Sequence, residues 1–275
     1  MEKKYKLKWK NIFLIFLFIV LIVIALISLS NIIKWKKEND STEDIVNKIE
    51  EKVTINEVTD NDNVEIIEVE EEKSNPYWDY IKMNLIDVDF NELKEINKNT
   101  VGWIQVNGTN INYPFVQVDN NKYYLTHSFD NSYNSAGWVF LDYRNSLENM
   151  NKNTIIYAHG RLDNSMFGSL RNILKSNWLK NKNNFVIKLS TEYQNTLWQV
   201  FSVYKIPTTN DYIKVEFSND KNYLEFLNML KERSAHDFNT SITEKDNILT
   251  LSTCYDDDNK VVLHAKLIKK EVKTN

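Results

Sequence analysis

Hydrophobic and polar positions divide the chain into three parts. Residues 12–33 form an apolar run that contains no charged side chain. As a helix this run would be roughly 33 Å long, enough to cross the ~30 Å hydrocarbon core of a bilayer. Residues 38–74 are rich in charged residues and contain no aromatic side chain, which predicts a solvated stalk, extended or partly helical. From residue 76 onward, short apolar runs alternate with turn signals, which indicates a β-rich folded domain.

The apolar runs of this third part have the length and spacing of strands in a small closed barrel. Eight such runs occur, the last two on either side of Cys254: 102–106, 111–116, 137–141, 154–157, 185–189, 197–204, 247–253 and 261–268. They predict a mainly β fold with helices, built on a closed eight-stranded β-barrel. Apolar residues at helical spacing predict the helices, which are expected at 78–88, 90–96, 166–174 and 223–230.

The charges beside the apolar run predict its orientation in a membrane. Five lysines precede it, and only three follow it before acidic residues begin. This bias places the N-terminus in the cytoplasm and the rest of the chain outside. A cleaved signal peptide is the alternative, but the run exceeds the usual signal-peptide core of about 7–15 residues. We therefore expect a single-pass cell-membrane protein.

Four segments follow from this interpretation. A basic cytoplasmic N-terminus covers residues 1–11, and a signal anchor in the lipid bilayer covers residues 12–33. An acidic extracellular stalk covers residues 34–75, and the folded domain covers residues 76–275.

Charge and motif spacing exclude several functions. The net charge is −4, and lysines are interspersed with acidic residues rather than gathered in a basic stripe, so no nucleic-acid partner is expected. The acidic turn 256–258 lacks the spacing of an EF-hand. No zinc-ligand spacing or phosphate-binding glycine loop is evident, and we predict neither a required metal nor a cofactor.

Cys254 is the only cysteine, so an exported domain could not use it for an internal disulfide. Its sulfur is either buried and inert or kept free for reaction, and its position alone leaves both possibilities open. His159 follows the strand-like run 154–157 and begins a polar loop, which is where a barrel can carry a functional group. The other three histidines are interpreted as structural: His127, His236 and His264.

Five segments, in this order, resemble the sortases, and among them class B. They are TVGWI at 100–104, LDYRN at 141–145, IIYAH at 155–159, SMF at 165–167 and TLSTC at 250–254. The resemblance extends from about residue 78 to 269. It implies a closed eight-stranded β-barrel with N-terminal helices. It also implies that the helical segment 222–233 is the extra helix that distinguishes class B.

The resemblance implies a membrane-anchored cysteine transpeptidase. Cys254 would attack the threonine carbonyl of a C-terminal sorting signal of the Asn/Ser-Pro-x-Thr-x type, and His159 would protonate the leaving amine. An amine of a peptidoglycan precursor or cross-bridge would then take the surface protein from the thioacyl intermediate. A papain-like enzyme would carry its cysteine before its histidine, which is the reverse of the order here.

One position departs from the family pattern. Lys260 stands where the family has an arginine that binds substrate and the oxyanion, and the loop before it is shortened. A lysine keeps the positive charge but lacks the bidentate guanidinium. Three interpretations stay open: Lys260 acts as a point charge, Arg144 or Arg161 reaches the site, or activity is weak or absent. The last would make the protein a sortase-like module that binds peptides without cleaving them.

The resemblance also implies a set of substrate-groove residues. Each matches a family position, although each could instead be an ordinary loop or core residue. They are Asn121, Leu125, Thr208, Tyr212, Ile213 and Ser252.

Overall fold

The computed structural model describes residues 9–59, 63–67, 75–254 and 258–273, with the backbone alone for residue 254. The chain forms two compact units, and the boundary between them follows residue 46. Helix α1 (Trp9–Lys52) carries the apolar run, whose large side chains are exposed. Among the described residues, it is the one helix long and apolar enough to cross a membrane.

The second unit contains eleven strands and four further helices within the described residues. The strands are β1 (Ile55–Val58), β2 (Val64–Ile66), β3 (Leu85–Val88), β4 (Thr100–Val106), β5 (Asn112–Val116), β6 (Phe140–Leu141), β7 (Asn153–Tyr157), β8 (Val186–Thr191), β9 (Gln194–Pro207), β10 (Ile248–Cys254) and β11 (Asn259–Val272). The helices are α2 (Tyr77–Tyr80), α3 (Asn91–Ile96), α4 (Ser176–Leu179) and α5 (Asp220–Glu232). Three 3-10 helices occupy Tyr123–Leu125, Gly168–Leu174 and Lys182–Asn184.

Eight strands close into the predicted barrel. Their order is β10-β7-β6-β5-β4-β8-β9-β11, and β11 pairs again with β10 to complete the ring. All eight correspond to the apolar runs from which the barrel was predicted, so the predicted fold class is confirmed. The pairing is antiparallel except between β5 and β6 and between β7 and β10.

The core contains tryptophans whose polar groups are satisfied. Trp103, Trp138 and Trp198 are fully buried. Their indole N–H groups donate to the Asn112 side chain at 2.8 Å, the Pro114 carbonyl at 2.9 Å and the Thr196 hydroxyl at 2.8 Å, respectively. Each therefore contributes a large apolar surface without leaving a buried donor unpaired.

Helix α5 confirms the expected amphipathic helix before the cysteine strand. Asn219 caps it by accepting a hydrogen bond from the Asn222 backbone N–H at 2.9 Å. The helix buries one apolar face in a cluster with residues of β9, β10 and β11, using Tyr223, Phe226, Leu227 and Leu230. Burial stabilises by about 1.5–3 kcal/mol for each such side chain. The helix is thereby held beside the strands that lead to the barrel edge.

The expected helix at 78–88 is correct only at its start. Helix α2 ends at Tyr80, and β3 follows it and pairs antiparallel with β1. The spacing of the apolar residues in this segment is compatible with a helix or with a strand. The partner of β3, strand β1, lies in a part of the chain where no strand was expected. The expected helix at 166–174 is a 3-10 helix, and the one at 90–96 is α3.

The segment expected to be a stalk, 34–75, contributes two strands to the folded unit. β1 pairs with β3, and β2 extends the sheet along β11. Lys270 lies 3.0 Å from the carboxylate of Glu65 across that pairing. Charged residues are compatible with an edge strand because their side chains stay solvated. The domain boundary expected at residue 76 therefore differs from the structure, in which the compact unit includes these strands.

His264 is buried where β9, β10 and β11 meet. Its Nδ1 lies 2.9 Å from the Thr250 hydroxyl, and its Nε2 lies 2.8 Å from the Tyr204 hydroxyl. Thr250 donates its single proton to Asn153 Oδ1 at 2.7 Å, so it accepts from Nδ1–H, and Nε2 accepts from Tyr204. Burial, with a smaller effect of Arg233, lowers the pKa of His264 to about 3. His264 is thus a neutral, structural residue.

This histidine predicts a specific pH dependence of stability. Its pKa is about 6.5 in the unfolded chain and lower in the folded state, so acidification adds a proton to the unfolded chain first. Folding stability should therefore fall as the pH drops below about 6.5, by up to ~1.4 kcal/mol per pH unit for this one proton. The variant His264→Gln cannot titrate and should show a shallower slope.

Urea unfolding of the full chain in detergent, followed by tryptophan fluorescence from pH 7.5 to 4.5, measures both slopes. Equal slopes in the two proteins would contradict a neutral buried His264, whatever the loss of stability at pH 7.

Candidate active site

The parallel pairing of β7 and β10 places two chemically important positions at one edge of the barrel. Leu251 pairs with Ile156, and Ser252 pairs with Tyr157. Parallel strands run in the same direction, so residues two positions further along both chains reach the same edge. Those residues are Cys254 and His159. The two positions are 95 residues apart in sequence and come together only through this register.

The next pairing brings Lys260 to the same edge. β10 and β11 are antiparallel, and the backbone of Cys254 is the direct partner of Lys260. All three residues expected to be catalytic thus lie on adjacent chain segments at one end of the barrel. The side chain of Cys254 lies outside the described part of the chain, so its place is given by backbone register alone.

A cavity of about 410 Å³ opens at this edge. Its lining includes His159, Lys260 and all six residues expected in the substrate groove: Asn121, Leu125, Thr208, Tyr212, Ile213 and Ser252. These residues come from five segments: the loop after β5, the end of β7, the loop after β9, strand β10 and the start of β11. The structure therefore places the expected groove residues around one space.

Sequence reasoning missed five other lining residues, which are Phe140, Tyr157, Thr209, Asn210 and Thr253. A signal for Tyr157 exists, since it lies two residues before His159 and strand alternation directs such pairs to the same face. Thr209 and Asn210 lie between expected groove residues. Phe140 has no comparable sequence signal, because it reaches the cavity through strand pairing.

His159 is held by a backbone carbonyl. Its Nε2 lies 2.7 Å from the carbonyl oxygen of Leu125. A carbonyl only accepts, so Nε2 carries a proton and donates it. The backbone on the far side is also fixed, because the Phe167 N–H donates to the His159 carbonyl at 3.0 Å. The imidazole is thus held through Nε2, and the residue is held through its backbone carbonyl.

Gly137 provides the space beside His159. Its φ angle is +60°, a left-handed conformation that favours glycine. A Cβ there would lie 2.4 Å from the Tyr124 carbonyl oxygen and 3.0 Å from Cδ2 of His159. The close approach of this turn therefore supports one side of the imidazole.

Tyr212 and Ser252 form a buried polar contact in the cavity wall. Their hydroxyl oxygens are 2.9 Å apart, and both side chains are largely buried. Asn153 supports the same loop, since its Nδ2 donates to the Lys214 carbonyl at 2.9 Å. The loop after β9 is thus attached to the barrel by side chains as well as by its own backbone.

The structure distinguishes among the three cations considered for oxyanion support. Arg144 forms a two-point ion pair with Asp142 at 2.8 and 2.7 Å, and Arg161 lies 3.2 Å from Asp163. Neither arginine lines the cavity, whereas Lys260 does. Of these three residues, Lys260 is therefore the one that reaches the cavity.

Asp142 keeps its charge although it is buried. Burial acts to raise its pKa, but hydrogen bonds from Arg144, Tyr157 and Asn121 together lower the pKa below its ordinary value. The same ion pair raises the pKa of Arg144. Among the described residues, no cluster of His, Cys, Asp or Glu is arranged to hold a metal ion; the acidic residues at 256 and 257 lie outside them.

Comparison with known proteins identifies the family. A model of the sortase domain matches residues 104–268, which is more than half of the chain. Sortase B of Staphylococcus aureus is 40% identical over 184 residues, which are 66% of this chain and 75% of that protein. The chain belongs to the sortase family, in class B. Sortase B of Listeria monocytogenes is also similar, with 36% identity over 187 residues, 66% of this chain and 75% of that protein.

Solved class B sortases share the fold. A Staphylococcus aureus sortase B–substrate complex has a TM-score of 0.61 at 40% identity and covers 66% of this chain and 84% of that one. Sortase B of Bacillus anthracis in complex with AAEK2 has a TM-score of 0.65 at 34% identity and covers 86% and 97%. The resemblance to class B is confirmed, and the protein is a sortase B-like cysteine transpeptidase.

Gly137→Ala tests the support beside His159. The added methyl group meets a backbone carbonyl that cannot rotate away, so we expect the turn or the imidazole to shift. Peptide cleavage should fall about tenfold or more, because ångström-scale misplacement of a reacting group is costly. The left-handed backbone should also cost about 1–2 kcal/mol of stability.

Gly108→Ala is the matched control. Gly108 has a φ of +69° but does not line the cavity, so its variant should lose stability and keep activity. Melting temperature and kcat/KM of both variants, measured well below either melting transition, separate the two effects. Equal relative activity of the two alanine variants would show that Gly137 does not position His159.

Proposed function

We propose that this class B sortase is anchored in the cell membrane and joins surface proteins to the cell wall. It cleaves a C-terminal sorting signal of the Asn/Ser-Pro-x-Thr-x type after the threonine and transfers the new carboxyl end to a peptidoglycan amine. The observation that supports this proposal is the shared edge of β7 and β10, which brings the backbone of Cys254 and the cavity-lining His159 to the same end of the barrel.

The first half-reaction forms a thioester. The sulfur of Cys254 attacks the threonine carbonyl carbon, and the resulting tetrahedral intermediate collapses with rupture of the carbon–nitrogen bond. The imidazolium of His159 gives its Nδ1 proton to the departing amine. The surface protein is then held on sulfur, and His159 is neutral with its remaining proton on Nε2, bonded to the Leu125 carbonyl.

The second half-reaction transfers the acyl group. An acceptor amine attacks the thioester carbonyl, and the carbon–sulfur bond breaks. Neutral His159 takes the proton that the amine loses, which restores the imidazolium and the thiolate. An amide replaces an amide overall, so no cofactor, oxidant or energy source is required.

Lys260 stabilises the oxyanion in this scheme. It lies opposite Cys254 in the β10–β11 pairing, so its segment adjoins the position of the attacked carbonyl. An ammonium supplies a single point of charge, whereas an arginine would supply two parallel hydrogen bonds. We therefore expect the enzyme to be active but to orient the carbonyl less precisely than an arginine would.

The cavity lining suits a short extended peptide. Leu125, Phe140 and Ile213 supply apolar contacts, and Asn121 and Ser252 supply hydrogen-bonding groups. Pockets that bind small ligands combine a mainly apolar wall with a few placed polar groups and have volumes of ~300–1,000 Å³. A proline-containing signal loses little conformational entropy in such a groove, because its φ angle is already restricted.

Membrane anchoring rests on the first part of the chain. The apolar side chains of residues 12–33 are exposed along α1, and five lysines precede them. The helix has the length to cross a bilayer. The positive-inside rule then places the barrel on the outer face, where surface proteins and wall amines meet.

Cys254→Ala provides the direct test of the nucleophile. The full chain in detergent should cleave a fluorogenic peptide that contains Asn-Pro-x-Thr or Ser-Pro-x-Thr, and the variant should have no measurable rate. Mass spectrometry of the wild type should show the N-terminal fragment attached to Cys254. Equal cleavage by the variant would remove Cys254 from the mechanism.

A second candidate function is a sortase-like module that binds peptides without cleaving them. The lysine at position 260, where the family has an arginine, favours this candidate, and variants of Lys260 distinguish it from an enzyme. Lys260→Ala should lower kcat by about 10²–10³-fold, the usual cost of removing one oxyanion donor, whereas Lys260→Arg should match or exceed the wild type. Peptide binding without cleavage or adduct in the wild type would support the module. An unchanged kcat in Lys260→Ala would refute the assigned role.

A further inference from the structure

A single buried carboxylate connects separate segments of the groove. The Asp142 side chain has no exposed surface. Its oxygens accept hydrogen bonds from the Tyr157 hydroxyl at 2.9 Å, from Asn121 Nδ2 at 3.0 Å and from Arg144 Nε at 2.8 Å. Tyr157 and Asn121 both line the cavity and belong to different segments, the end of β7 and the loop after β5.

Arg144 extends this connection to a third segment. Its Nη2 donates to Asp142 at 2.7 Å and also to the carbonyl oxygen of Ile213 at 3.0 Å. Ile213 lines the cavity from the loop after β9, 69 residues further along the chain. Asn153 holds the next carbonyl of this loop, that of Lys214. The backbone that presents Ile213 to the groove is therefore fixed from the barrel by two side chains.

Asp142 and Arg144 do not line the cavity themselves. Asp142 is buried, but Arg144 is exposed, and an ion pair with a solvated partner usually contributes little to stability, so stability alone gives little reason for this pair. Its donors and acceptors instead converge on residues that form the groove. We propose that Asp142 and Arg144 form a positioning unit that sets the spacing of Asn121, Tyr157 and Ile213, and thereby the affinity for the signal peptide.

The geometry requires a guanidinium rather than a positive charge alone. Arg144 binds both carboxylate oxygens and still reaches the Ile213 carbonyl, because its donors diverge from one rigid plane. A lysine at this position could satisfy Asp142 but could not span both partners. This assignment rests on the proposed function, in which the cavity takes the sorting-signal peptide.

Arg144→Lys tests the unit in the full chain in detergent. We expect KM for the fluorogenic peptide to rise about tenfold, which is the effect of losing one charge-assisted hydrogen bond, with kcat within about twofold. Asp142→Asn should show the same pattern. Alkylation of Cys254 by iodoacetamide needs no groove, so its rate should stay within about twofold.

Asp87→Asn is the matched control, because Asp87 pairs with Lys273 at 2.6 Å and does not line the cavity. It should leave KM unchanged. Melting temperatures are measured for every variant. If KM, kcat and the alkylation rate all change in proportion to the melting temperature, the two residues have a general structural role and the proposal is overturned. An unchanged KM in Arg144→Lys would also overturn it.

Fluorescence anisotropy with the same labelled peptide separates this proposal from the proposed function. If the wild type binds and Arg144→Lys binds equally well, the positioning unit is refuted and the proposed function stands. If the wild type neither binds nor cleaves the peptide, the proposed function is refuted and the positioning unit falls with it. Weaker binding by Arg144→Lys supports the unit even where cleavage is slow.

Discussion

The parallel pairing of β7 with β10 is the constraint on which the rest of this molecule depends. Every other neighbour of these strands in the barrel is antiparallel, and an antiparallel pairing here would carry the two chain ends to opposite edges. Because Ser252 pairs with Tyr157, the residues that follow both strands reach the same place. A shift of one residue would also exchange the two faces of a strand, so the register is as important as the direction.

Buried polar groups connect this pairing to the groove. Asn153 at the start of β7 accepts from Thr250 of β10 and donates to the loop that carries Tyr212 and Ile213. Thr250 in turn accepts from His264 of β11. A buried polar group without a partner is costly, so strand alignment and loop position stabilise each other. The groove wall is in this sense part of the barrel's interior rather than an independent surface loop.

The strands and the chemistry could be predicted from sequence for different reasons. Eight apolar runs separated by turn signals indicate strands, and each corresponds to a strand of the ring. The groove residues followed from resemblance, since nothing in the local pattern at Thr208 or Asn121 indicates that they lie near His159. Periodicity reports local structure, whereas contact between distant segments depends on strand register.

Strands β1 and β2 and the role of Asp142 and Arg144 could not be predicted from the sequence, for physical reasons. β1 and β2 lie in a charged segment whose own composition offers little apolar surface, and they form strands because β3 and β11 supply edges to pair with. The role inferred for Asp142 and Arg144 comes from hydrogen bonds to three segments distant in sequence. An Asp–x–Arg triplet by itself is compatible with any surface turn.

A disulfide test addresses the central register most directly. The chain has one cysteine, so His159→Cys creates a pair with Cys254. Neighbouring strands lie ~4.8 Å apart, which suits the 4.4–6.8 Å between Cα atoms of a disulfide. Mild oxidation should join residues 159 and 254 rapidly, as shown by a non-reducing peptide map, whereas His236→Cys should give no such bridge. Failure of His159→Cys to form the bridge any faster than His236→Cys would contradict the shared edge of β7 and β10.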